Sequence, residues 1–178
     1  MSNTKTNKKP KPSLKKVELD TKPSFKIAVV LPDIRSSYNI GSIFRTSDAA
    51  GVSMVYLSGY SPRPLDKFNR PDSQIAKTAL GAEKTIPWEY FKTHAALFKK
   101  IKKEGYKIVA VEQAPKSIDY KKIKNLRAER LAFVFGNEVD GLSKTLLKYA
   151  DYIAEIPMAG EKESLNVSVT AGIILFSL

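Results

Sequence analysis

Short apolar runs rich in β-branched residues recur along the chain, and segments of helical period separate them. The first, Lys26-Ile27-Ala28-Val29-Val30-Leu31, has no polar alternation, as expected of a strand covered on both faces of a parallel sheet. Similar runs follow at Val52 to Leu57, Tyr106 to Val111, Leu131 to Phe135 and Tyr152 to Ile156. Between them, Asn39 to Ala50 places Ile40, Ile43, Phe44 and Ser47 on one helical face and stops at Gly51. A short helix is expected near Asp72 to Leu80, an amphipathic helix over Trp88 to Glu104, a short one over Ser143 to Tyr149 and a closing one over Ser164 to Leu178. Strand and helix in alternation predict one α/β domain with a mainly parallel sheet and helices on both faces.

That domain is expected to run from residue 25 to 178, preceded by a disordered basic arm over residues 1–24 with seven Lys against Glu18 and Asp20. The arm contributes +5 of the formal net charge of +12, so the body is basic in its own right and favours a polyanionic partner. The chain has no cysteine, which excludes disulfides, thiolate nucleophiles and Cys-based zinc sites. Its one histidine, His94, falls inside the Trp88 to Glu104 stretch and reads as an exposed helix residue. No run approaches the ~20 apolar residues of a membrane span. A cytoplasmic protein without membrane contact is the expectation.

In open parallel sheets ligands bind beyond the carboxyl ends of the strands. Three segments there carry unusual residues. Asn39-Ile40-Gly41-Ser42-Ile43-Phe44-Arg45-Thr46 reads locally as a helix capped by Asn39, with Arg45 turned to solvent. Gly136-Asn137-Glu138-Val139-Asp140-Gly141 reads as an Asn/Asp/Gly turn or as a loop that closes on a small ligand. Its glycine spacing fits neither a dinucleotide-binding fingerprint nor a P-loop. Ile156-Pro157-Met158-Ala159-Gly160 leads through Glu161, Lys162 and Glu163 into Ser164-Leu165-Asn166-Val167-Ser168, where Ser164 reads as the cap of the last helix. Each segment alone has a sufficient structural explanation.

Together and in this order, N-x-G-x-x-x-R-T, F-G-N-E-x-x-G-L and I-P-M-x-G-x-x-x-S-L-N-V-S resemble the three motifs of the SpoU branch of SPOUT methyltransferases. The resemblance runs from about Ile27 to Leu178 and includes Ala79-Leu80-Gly81-Ala82. It implies a trefoil knot over roughly Leu131 to Leu178, a bent S-adenosylmethionine in the knotted loops, and a homodimer with sites near the subunit interface. Gly136, Ile156 and Leu165 match the cofactor contacts. Asn39, Arg45, Glu138, Ser164 and Asn166 match the family's polar site residues.

The implied reaction is methyl transfer to a ribose 2′-hydroxyl, which must lose its proton as it attacks. Such a site has to orient two substrates and favour a developing alkoxide. A guanidinium is a poor base because its pKa lies above ~12, so Arg45 is assigned to the neighbouring phosphate and the alkoxide. Asn39 would position Arg45 or the ribose, Glu138 would order the motif loop and the cofactor's amino group, and Ser164 with Asn166 would complete the pocket. Guanosine in transfer RNA is the expected target, with ribosomal RNA as the alternative. A catalytically idle RNA-binding protein and a small-molecule enzyme are the competing classes. The family's C-terminal Glu with basic tail and its N-terminal RNA-binding domain have no match in the sequence, so grip on RNA would fall to the body surface, for example Lys99, Lys100, Lys102 and Lys103, and to the arm; the arm reads equally as a solubilising tail, and a Lys cluster on a helix as a solvated face.

Overall fold

The computed structural model describes residues 26–126 and 128–178; the arm expected over residues 1–24 lies outside them. Among these residues seven strands form one sheet: β1 (Lys26–Pro32), β2 (Met54–Ser58), β3 (Trp88–Phe91), β4 (Lys107–Val111), β5 (Ile118–Asp119), β6 (Arg130–Phe135) and β7 (Tyr152–Glu155). Their order is β3-β2-β1-β6-β4-β7-β5 and every ladder is parallel. The continuous apolar runs occupy the middle of the sheet: β1 pairs β6 from Lys26↔Arg130 to Val30↔Val134, so each is shielded from water by a strand on either side.

Successive side chains of a strand point to opposite faces, and the sheet therefore has two cores. Val29, Leu31, Leu57, Phe133 and Phe135 face α1 (Ser37–Ala49), α2 (Ser73–Ala79), α3 (Ala82–Thr85) and α6 (Val167–Phe176). Ala28, Val30, Tyr56, Ala110 and Val134 face α4 (His94–Lys103) and α5 (Lys144–Leu147). A 3₁₀ turn over Tyr120–Asn125 leads from β5 toward β6. No helix among the described residues is long and apolar enough to cross a membrane.

Three local expectations are corrected. The stretch from Trp88 to Glu104 is not one helix: Trp88–Phe91 is the edge strand β3, paired with β2 from Val55↔Trp88 to Ser58↔Phe91, and α4 begins only after Thr93, whose side chain accepts the Ala96 N–H. The first helix starts at Ser37 with Ser36 as its cap, so Asn39 lies inside the first turn and its side chain is released for other partners. The last helix is capped by Asn166 and not by Ser164; the Asn166 Oδ1 accepts the Ser168 N–H at 2.9 Å. Val167, one residue further on, enters the core and thereby fixes where the helix begins.

Candidate functional site

A cleft of about 610 Å³ opens beyond the carboxyl ends of β4, β6 and β7. Its walls are the residues that follow those strands: Glu112 and Gln113 after β4, 136–141 after β6, and Ile156, Met158 and 163–167 after β7. The size suits a small organic ligand. Leu165 and Val139 stand 40% and 67% exposed at this cleft, an arrangement that leaves apolar surface for a flat apolar group to cover. Carboxylates at Glu112, Glu138, Asp140 and Glu155 make the surroundings negative and favour a ligand that also carries positive charge.

The loop after β6 is shaped by its glycines. A Cβ at Gly136 would collide with the backbone of Gly141 and Leu142, so the two ends of the loop touch only because this residue is glycine. Gly141 has φ +63° and faces the Glu112 carboxylate, which accepts the Leu142 N–H at 2.8 Å. Between them the Asn137 side chain accepts the Val139 and Asp140 N–H groups at 2.9 and 2.8 Å. Gln113 reaches across and donates to the Glu163 carbonyl at 2.6 Å, linking the loop after β4 to the segment before α6.

The three motif segments meet on one side of this cleft. Glu138 accepts the Asn39 side-chain amide at 2.7 Å and the backbone N–H groups of Arg35 and Ser36 at 3.1 and 3.3 Å, at the mouth of α1. Burial pushes the Glu138 carboxyl up, but the hydrogen bonds from Asn39, Arg35 and Ser36 outweigh it and hold the group below the usual carboxylate range. The Asn39 oxygen in turn accepts the Asn166 amide at 3.2 Å. From this point α1 and α6 run side by side in the same direction, since Gly172 meets Thr46 further along.

Of the residues singled out in the sequence, Gly136, Glu138, Ile156, Ser164, Leu165 and Asn166 line the cleft, and Asn39 joins it through Glu138 and Asn166. Arg45 does not line it. It is exposed on α1, six residues and about 9 Å of helix rise beyond Asn39. Sequence reasoning missed Glu112 and Gln113. They directly follow the apolar run of β4, at a strand end like those that carry the other lining residues.

Of the lysines assigned to RNA, Lys100 is engaged elsewhere, with Glu104 at 3.1 Å and Glu89 at 3.4 Å. His94 corrects the expectation of an exposed helix residue. Its Nε2 lies 2.9 Å from Asp33 Oδ2 and its Nδ1 2.9 Å from Ser58 Oγ. A carboxylate only accepts, so Nε2 carries a proton toward Asp33, and the other ring nitrogen is hydrogen-bonded to the Ser58 hydroxyl. The residue types are those of a hydrolytic triad, but Ser58 is fully buried and no substrate can reach it. The cluster is a tie between β1, β2 and α4.

A model of the SpoU rRNA Methylase family matches residues 26–176. The chain is 33% identical over 149 residues to the 23S rRNA (guanosine-2′-O-)-methyltransferase RlmB of Neisseria meningitidis, covering 84% of this chain and 56% of the relative. It is likewise 33% identical over 153 residues to the tRNA (guanosine(18)-2′-O)-methyltransferase of Borreliella burgdorferi, covering 85% and 65%. The AdoMet-bound rRNA methyltransferase from Sinorhizobium meliloti superposes with a TM-score of 0.77 at 30% identity, over 85% of this chain and 55% of that one. The chain thus spans little more than half to two thirds of the length of these relatives.

Proposed function

The chain belongs to the SpoU rRNA Methylase family, and from that premise we propose that it transfers a methyl group from S-adenosylmethionine to a ribose 2′-hydroxyl of RNA. The observation that carries this reading is the junction of Glu138, Asn39 and Asn166 at one cleft, because three segments far apart in sequence are joined there by their most polar residues. The apolar surface of Leu165 and Val139 and the negative walls fit an adenine and a sulfonium respectively. S-adenosylmethionine, when bound, supplies the electrophilic methyl group. Gly136, Ile156 and Leu165 would hold it, with backbone groups of the 136–141 loop at the adenine.

Glu138 already accepts three hydrogen bonds, so it serves to fix the approach of the motif loop to α1 and is a poor candidate for taking the hydroxyl proton. Asn39 and Asn166 keep the α1 and α6 termini in register, with Ser164 completing the wall. Arg45, projecting from the outer surface of α1, binds the phosphate next to the target ribose and stabilises the developing alkoxide. We assign the chain to the cytoplasm, and the segment from 131 to 178 to the family's trefoil knot. α6 exposes Val169 and Phe176 beside Arg45's helix, which supports a homodimer with catalytic groups close to the interface.

The proposed substrate is guanosine in transfer RNA, in keeping with the Borreliella relative; the Neisseria relative favours ribosomal RNA as the second reading. Labelled S-adenosylmethionine incubated with unmodified transfer and ribosomal RNA, followed by nuclease digestion, tests both. Label in a 2′-O-methyl nucleotide is expected. Absence of both label and cofactor binding would instead favour an idle RNA-binding protein.

A further inference from the structure

A second cleft, of about 620 Å³, lies on the same edge of the sheet beyond β2 and β3. It is formed by the loop over residues 59–72 and by Tyr90. Two aromatic rings of this loop stand in water, Tyr60 56% and Phe68 64% exposed. Cations lie against Phe68 and Tyr90: Arg63 lies 4.4 Å from the Tyr90 ring centre, and Lys67 and Arg70 lie 4.9 and 5.0 Å from that of Phe68.

The carboxylates nearby are all taken. Asp66 accepts the Phe68 and Arg70 N–H groups and the Arg70 guanidinium, and Asp72 caps α2 and accepts the Ser37 hydroxyl. Asp33 accepts the Tyr60 N–H at 3.1 Å and lies against His94. Among the described residues Arg63 and Lys67 have no acidic partner, so the loop presents aromatic faces beside two cations that no carboxylate pairs with. The loop is also held in shape: the Tyr90 hydroxyl donates to the Gly59 carbonyl at 2.6 Å, and the His94 tie lies directly under it. Ordered aromatic rings interleaved with cations are the surface that stacks unpaired bases and grips their phosphates, and order before binding lowers the entropy cost.

We propose that the 59–72 loop is a subsite for an unpaired nucleotide of the RNA substrate, its base stacked on Phe68 or Tyr60 and its phosphate at Arg63 and Lys67. The proposal rests on the RNA methyltransferase reading and adds to it which kind of RNA the enzyme takes. Asp72 and Ser37 join this loop to the mouth of α1, where Glu138 also binds. One strand of RNA lying along the sheet edge thus meets both clefts, and the target must be flanked by single-stranded nucleotides.

Fluorescence anisotropy of a labelled oligouridine, alone and annealed to its complement, tests this on the full chain. Phe68→Ala with Tyr60→Ala is expected to weaken single-strand binding by about tenfold or more and duplex binding much less. Phe68→Trp, which keeps a stacking face, restores most of the affinity. Equal affinity of the double alanine variant and the parent, no single-strand binding by the parent, or an equal loss on duplex would each overturn the subsite. Methyl transfer to natural RNA is read separately. If the parent methylates while the double variant binds normally, the subsite fails and the enzyme reading stands; if the parent binds through the loop but never methylates, the reverse holds.

Discussion

The side-chain amide of Asn39 donates to the Glu138 carboxylate at 2.7 Å across 99 positions of sequence, and in doing so it fixes which end of the Asn39 amide faces Asn166. A carboxylate must accept and an amide oxygen must accept, so the Asn39–Asn166 contact inherits its direction from Glu138. One residue therefore orients both neighbours.

Glu138→Ala removes the acceptor for Asn39 and for the N–H groups of Arg35 and Ser36. It is expected to cost about 1–2 kcal/mol in thermal or denaturant unfolding, comparable to losing a helix cap. Methyl transfer should fall further, because the junction of the motifs loosens. Glu138→Gln keeps one acceptor oxygen and should lie between the two.

Gly136→Ala places a Cβ against the Gly141 and Leu142 backbone, so the 136–141 loop must shift. Calorimetric titration should show S-adenosylmethionine affinity reduced by at least tenfold while circular dichroism stays that of a folded chain. Gly160→Ala meets nothing within 4 Å and serves as the control, with affinity close to the parent's.

Arg45 is exposed, and Arg45→Ala should change stability by less than about 0.5 kcal/mol. If its guanidinium stabilises the alkoxide, kcat falls by about 10²–10³ with cofactor affinity unchanged. A change confined to KM would assign it to phosphate binding alone. Near-full activity would remove it from the site.

Asp66 is held down to about 2 by the Arg70 backbone N–H first, then by the Arg70 guanidinium and the Phe68 N–H. Its folded value is depressed, so the order it lends the loop is complete above the ordinary aspartate range and is lost as pH falls through about 2. A carboxyl-carbon NMR titration should show Asp66 still ionised at pH 3. A midpoint near 4 would mean that the Asp66–Arg70 contact does not persist in solution.

The central strands were readable because burial on both faces leaves an uninterrupted apolar run, as in β1 and β6. The edge strand β3 was not. Trp88, Phe91, Ala95 and Phe98 imitate helical spacing, and the pairing that makes Trp88–Phe91 a strand is with β2, more than thirty residues earlier in the chain. Thr93 was a usable signal, since a threonine before an apolar-periodic segment is a helix start. Asn39 and Ser164 look like caps in sequence because cap preference alone does not separate neighbouring polar residues; the burial of Ile40 and Val167 decides it. The motif residues were legible as a set, yet the partners of Glu138, and Glu112 beneath Gly141, depend on tertiary approach and leave no local trace.

The pairing of α6 with α1 also orders events during synthesis. All seven strands emerge before residues 163–170, which supply the last wall of the first cleft. A nascent chain can complete its sheet and still have nothing to hold a ligand. Once the final helix docks, any ligand in the cleft bridges early-made and late-made segments, and its binding energy adds to the cost of undocking them. Ligand occupancy should thus protect the 159–166 stretch from proteases more than any other part of the surface, and would act as a latch on the finished fold.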